Sequence, residues 1–152
     1  MTTPTTRAPH AWLALALLAG ACSTSQPAED TREPMEETML IQYLEVVTPD
    51  VDATCEALER MHGVRFGEPE PGLGNARTAA QKGGGRIGVR APMRADEEPV
   101  VRPYLLVEDI DAAVGTAEAA GAQIALPPME IPGHGKFAIY IQGGIQHGLW
   151  EL

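Results

Sequence analysis

The sequence predicts an α+β fold of two βαβββ repeats whose strands form a curved mixed sheet around a trough. Three observations predict it. First, VEDIDAAV, Val107 to Val114, restates TPDVDATC, Thr48 to Cys55, with Asp109-Ile110-Asp111-Ala112 falling on Asp50-Val51-Asp52-Ala53. Second, each copy follows a run of β-favouring residues, MLIQYLEVV in one case and VVRPYLLV in the other. Third, each copy is closed by a glycine, Gly63 or Gly121, and followed by short apolar runs punctuated by Gly and Pro. A repeat of about sixty residues marks a duplicated supersecondary unit.

The elements follow in order. Met39 to Val47 reads as a strand, stopped by Pro49, and Asp50 is a good helix N-cap. Val51, Cys55, Leu58 and Met61 or His62 then recur at helical spacing until Gly63. VRF, ARTAAQ and RIGVRAP are the first half's three later strands, with GGG as a turn between the last two. In the second half Asp109 caps a helix carrying Ile110, Val114 and Ala117, and Gly121 ends it. AQIALPP, GKFAIYIQ and QHGLWEL are its three later strands, separated by EIPGH and GG. Each helix covers one face of its own strands, and the opposite faces make the trough. The repeats occupy about residues 39–98 and 99–152 of a domain spanning 39–152.

The chain of 152 residues, 44% of them hydrophobic, is long enough for one domain or for two small halves sharing a core. Residues 1–21 look different. A polar start with Arg7 leads into the apolar run AWLALALLAGA, too short for a final membrane span but suited to a secretory signal. The run ends at Cys22, and LAGAC resembles a bacterial lipobox. The resemblance implies cleavage before Cys22 and lipidation of that cysteine. With Ser23 next, it further implies anchorage at the periplasmic face of an outer membrane. A non-lipidated signal cleaved after the same small residues is the alternative. Residues 22–38, rich in Ser, Thr, Pro and Glu, read as an acidic flexible tether. Cys55 is then alone in the mature chain and reads as a small buried hydrophobe. The net charge of −10 argues against nucleic acid as a partner.

From Met39 to Leu152 the pattern resembles the vicinal oxygen chelate superfamily, which includes glyoxalase I, extradiol dioxygenases, and fosfomycin and bleomycin resistance proteins. VEDIDAAV…AEAAGAQI, IPGHGKFAIYI and the terminal HGLWEL carry the resemblance, nearest to glyoxalase-like proteins. It implies a trough whose metal, where one is used, is held by His, Glu or Gln from the first and last strands of each half. The repeat places those positions at Tyr43, Arg102, Gly88 and Gly148. Glycine offers no ligand and arginine is a permanent cation. No metal cofactor is therefore expected, with a divalent ion kept as the disfavoured alternative. Gln42, His147 and Glu151 lie nearby, but a slip of one residue turns a side chain to the other sheet face.

Strand alternation assigns the remaining trough residues. Tyr43, Glu45 and Val47 share a face, as do Arg102, Tyr104 and Leu106, Arg86, Gly88 and Arg90, and Gln146, Gly148 and Trp150. The candidate ligand-binding residues are Tyr43, Glu45, Arg86, Arg90, Arg102, Tyr104 and Trp150. Arginine would pair with an anion while tyrosine and tryptophan stack, so the expected ligand is small and anionic or polar aromatic. The plainer reading puts Arg86 and Arg90 on an exposed hairpin and pairs Glu45 with Arg102. Candidates for catalysis are Glu45, Tyr43 and His134, the last in the glycine-flanked loop PGHGK. A Glu45 paired with Arg102 would be a poor base. QKGGG lacks the spacing of a phosphate-binding loop and reads as a hairpin turn.

The expected function is a lipid-anchored, glyoxalase-like protein that binds a small ligand without the usual metal. The alternatives are a glyoxalase-related lyase or isomerase with an atypical metal or metal-free site, and an envelope interaction protein with a vestigial trough. Expected partners are the ligand, a membrane through the lipid on Cys22, and a second copy of the chain if the halves pair between chains.

Overall fold

The computed structural model describes residues 39–152; the expected signal segment, tether and lipidated Cys22 lie outside the described residues. The first half contains β1 (Ile41–Val47), α1 (Val51–His62), β2 (Arg77–Ala80) and β3 (Arg86–Arg90). The second contains β4 (Val100–Leu106), α2 (Ile110–Ala119), β5 (Gln123–Ile131), β6 (Gly135–Gln142) and β7 (Ile145–Glu151). All seven strands join one sheet in the order β2-β3-β1-β4-β7-β6-β5. β1 runs parallel to β3 and β4 parallel to β7, while β1 and β4 are antiparallel and join the halves within one chain.

The repeated aspartates start both helices in the same way. Asp50 Oδ1 accepts the Ala53 amide at 3.2 Å, and Asp109 Oδ1 accepts the Ala112 amide at 2.9 Å. Each meets one of the backbone donors that a helix start leaves unpaired. Glu151 adds a second acceptor at α2, taking the Ile110 amide at 2.8 Å. Gly63, at φ 67°, closes α1 in the left-handed conformation that a side chain would resist.

The two helices cover separate cores on one sheet face. Under α1, Cys55 meets Phe66, Ala79 and Val89; under α2, Ile110 meets Ala138 and Leu149. A third core lies on the opposite face, where Tyr43, Leu73, Ala76, Tyr104 and Trp150 are buried together. The trough is therefore floored with aromatic side chains.

The first half departs from its expected order by one strand. Val64–Phe66 makes no strand, and the chain instead passes through a single 3₁₀ turn at Pro71–Leu73. The apolar run there is only three residues long, and Pro69 and Pro71 remove two ladder donors just beyond it. Traces of pairing persist in the bond from the Gly67 amide to the Thr78 carbonyl, 2.9 Å, and in the isolated bridge between Glu70 and Ala76. The first half thus keeps two strands after its helix and the second keeps three.

Asp50→Ala and Asp109→Ala should each lower stability by about 0.5–2 kcal/mol, read from the urea midpoint at unchanged slope. Ile110→Ala, at a residue with 0% exposure, should cost about 2–5 kcal/mol.

Candidate functional site

Backbone pairing aligns the two halves residue by residue. Glu45 lies opposite Gly88 across β1 and β3, and Tyr104 lies opposite Gly148 across β4 and β7. Past the strand ends, the Thr48 amide reaches the Arg90 carbonyl at 3.0 Å, and the Val107 amide reaches the Trp150 carbonyl at 2.8 Å. Gly88 and Gly148 are therefore counterparts, as are Arg90 and Trp150. Both glycines are covered by a tyrosine. A methyl group on Gly88 would overlap the Tyr43 hydroxyl, and one on Gly148 would overlap the Tyr104 ring. The glycines are what allow the rings to lie flat against the sheet.

The rings then meet each other. Tyr43 and Trp150 have centroids 5.4 Å apart, and Tyr104 meets Trp150 edge-on at 5.7 Å. Phe137 joins from β6, 6.2 Å from Tyr104. Burial, and then the nearby Glu45 carboxylate, hold both tyrosine phenols well above the ordinary range. Both stay neutral at physiological pH. Among the described residues the Tyr43 hydroxyl is buried with no hydrogen-bond partner.

Beside the rings lies a buried charge network. Glu45 Oε1 accepts from Arg90 Nε at 2.6 Å, and its Oε2 accepts from Arg102 Nη1 and from the Tyr104 hydroxyl, the latter at 3.1 Å. Arg102 also donates from Nε to Gln146 Oε1 at 3.0 Å. Arg90 makes a two-pronged pair with Glu97, at 2.7 and 2.9 Å, and the Met93 amide donates to the same carboxylate at 2.7 Å. Glu45, Arg90 and Arg102 are each less than 7% exposed. The guanidinium of Arg90 holds the Glu97 carboxyl down to about 2. Neither Arg90 nor Arg102 keeps an unpaired charge for a ligand. Glu45 has both oxygens occupied, which leaves it poorly placed to take a substrate proton.

A second cluster lies towards the other end of the trough. Glu70 accepts from Arg86 and from the Thr78 hydroxyl, and His134 Nε2 stands 3.9 Å from its other oxygen. His134 is fixed to the floor through its carbonyl, which accepts from Trp150 Nε1 at 2.9 Å. A cavity of about 440 Å³ opens between Tyr43, Trp150, Leu73, Arg86 and His134. Arg86 is the most exposed of the three trough arginines, its side chain 43% accessible.

The candidates therefore fall into groups. Tyr43, Trp150, Arg86 and His134 share the cavity, Glu45, Arg90 and Arg102 form the network, and Tyr104 joins the two. The sequence reading missed Glu97, Glu70 and Phe137. Two arginines on one sheet face call for buried carboxylates, and the run Asp96-Glu97-Glu98 lies close by in sequence. Phe137 pairs with Trp150 across β6 and β7, so extending the alternation to β6 would have placed it in the trough. His147 stacks on Tyr140 at 5.1 Å, beside the α2 core, and Glu151 is taken up by the α2 amide and by Lys136. The set Tyr43, Arg102, Gly88 and Gly148 does not fit a divalent ion. Two members have no side-chain donor, one is a cation, and the neutral phenol of the fourth is pressed against Gly88.

Glu45→Gln should lower stability by about 3–5 kcal/mol in denaturant titration, because two buried guanidiniums lose their shared counter-charge. Glu97 gives an acid signature. Its carboxyl falls on folding from 4.5 to about 2, so the stability it contributes is complete above 4.5 and is lost as pH falls through about 2. Glu97→Gln should lower stability at neutral pH and flatten its decline across that window.

No family model matches the chain, and no curated protein does. Its fold does match solved structures. The hypothetical protein BH1468 from Bacillus halodurans aligns at 10% identity with a TM-score of 0.61, over 76% of this chain and 96% of that one. Methylmalonyl-CoA epimerase from Mycobacterium tuberculosis aligns at 17% identity and 0.56, over 72% and 85%. Streptomyces coelicolor methylmalonyl-CoA epimerase, in complex with 2-nitronate-propionyl-CoA, aligns at 17% and 0.54, over 73% and 95%. At these identities the likeness is one of fold alone: the mixed, curved sheet with two helices is shared with the methylmalonyl-CoA epimerases.

Proposed function

We propose that this chain is a metal-free small-molecule binding protein, anchored to a bacterial envelope membrane by lipid on Cys22. The observation that carries the reading is the pair of tyrosine rings lying on Gly88 and Gly148. They occupy the floor that a metal and its carboxylate ligands would need. What remains is a recess with an aromatic floor and a polar rim at one side, the usual make-up of a small-ligand pocket. The expected ligand is a small planar molecule. Its body lies on Tyr43 and Trp150, and its polar or anionic end meets Arg86 and His134. Arg90 and Arg102 serve the fold in this reading, not the ligand.

Titration of the mature protein with benzoate and with neutral benzamide, followed by Trp150 fluorescence, tests the reading. Both should bind, the acid more tightly. Arg86→Ala should weaken the acid by about tenfold, the loss of one charge-assisted hydrogen bond, and leave the amide unchanged. Elemental analysis after incubation with Zn, Ni, Mn and Fe(II) should find no stoichiometric metal. One tightly held ion per chain would move the reading to a glyoxalase-related lyase or isomerase. Cys22→Ser should shift the protein from the membrane to the soluble fraction.

A further inference from the structure

The internal repeat allows each half to be compared with the other on the helix side as well as in the trough. With Gly88 matched to Gly148, Ile87 of β3 matches His147 of β7. Their cross-strand partners, Ala79 of β2 and Tyr140 of β6, match in turn. In the second half these positions hold two stacked rings, 5.1 Å apart and inclined by 17°. In the first half they hold a methyl group and an aliphatic chain. The first half also lacks the strand that would lie outside β2. Where the second half is plugged, the first has a cavity of about 710 Å³ between α1 and the sheet. Leu44, Leu58, Phe66 and Ile87 line it, and the exposed His62 and Lys82 stand at its edge. Among the described residues neither of these two is in an ion pair. The space is on the opposite sheet face from the aromatic floor and is larger than the trough cavity.

We propose that this cavity is a second ligand site, separate from the trough, that takes a single unbranched acyl chain ending in a carboxylate. Three features select that chemistry. Among the described residues the wall is mainly aliphatic and aromatic, and its one side-chain amide, Gln81, already donates to the Arg86 carbonyl at 2.9 Å. The volume lies within the range of about 300–1,000 Å³ typical of small-molecule pockets. The charge at the edge, that of Lys82, is positive in a protein whose net charge is −10, so the site favours an anionic end where the surface as a whole would repel it. The inference does not depend on what the trough binds.

The test is titration of the full chain with decanoate, decanol and decyltrimethylammonium, followed by methyl NMR. Decanoate should shift the methyl signals of Leu44, Leu58, Val64 and Ile87 and leave those of Leu73 and Ile131 in the trough unmoved. Lys82→Glu, an exposed change that spares the fold, should weaken decanoate by about tenfold and leave decanol unchanged. Ile87→Trp, which fills the space from its wall, should abolish binding of both. Equal affinity for decanoate and decyltrimethylammonium would overturn the proposal, as would shifts confined to the trough. So would a failure of decanoate to bind together with movement of the same methyl signals when residues 23–38 are deleted. That result would give the cavity to the chain's own preceding segment.

Discussion

Glu45 is the residue on which the two halves close. It stands on β1 at the seam with β4, and its carboxylate receives Arg90 from β3, Arg102 from β4 and the phenol of Tyr104. Through Arg102 the network reaches Gln146 on β7, and through Arg90 it reaches Glu97 in the linker between the halves. Four strands and the linker are thereby referred to one buried group. Such a network adds little net stability over a well-packed apolar core, because each ion is stripped of water. Its effect is on specificity. Any other register of β1 on β4 would strand two guanidiniums in the interior, and the desolvation cost of that error exceeds what an apolar mismatch would impose.

The same network limits what the trough can do. Arg90 and Arg102 are matched by Glu45 and Glu97 and bring no net field to the cavity, which leaves Arg86, 43% accessible beside Glu70, as the one arginine at its rim. A ligand there is recognised first by its fit to Tyr43 and Trp150 and only then by a polar contact at the rim. The trough resembles an aromatic shelf more than an anion hole.

Much of this was legible in the residues. The repeated Asp-x-Asp-Ala fixes both helix starts, because only a short polar side chain meets the exposed amides there. Period-two alternation assigns Tyr43, Glu45, Arg102, Tyr104, Gly148 and Trp150 to one sheet face, and they share one in the structure. Alternation is a property of single strands and says nothing of what enters from loops. Glu70 and Glu97 come from turns, and their sequence neighbourhoods of Pro, Asp and Glu read as solvent-facing. The strand expected at Val64–Phe66 shows a related limit. A short β-favouring run is not enough where prolines follow and no continuous partner is supplied. The pairing of the halves within one chain also lay beyond the residues, since the same β1–β4 contacts can be drawn between two molecules.

The clip between Arg90 and Glu97 bears on that last ambiguity. An exchanged dimer, with the first half of one chain closed on the second half of another, would reproduce every seam contact described here. The seam therefore cannot choose between the closed monomer and domain swapping. The choice falls to the stretch from Ala91 to Pro99, which must fold back in one and extend in the other. Glu97, taking both Arg90 and the Met93 amide, rewards the folded-back path with bonds that an extended linker would break. A single carboxylate outside the sheet thus holds the joint between the two halves in its folded-back path.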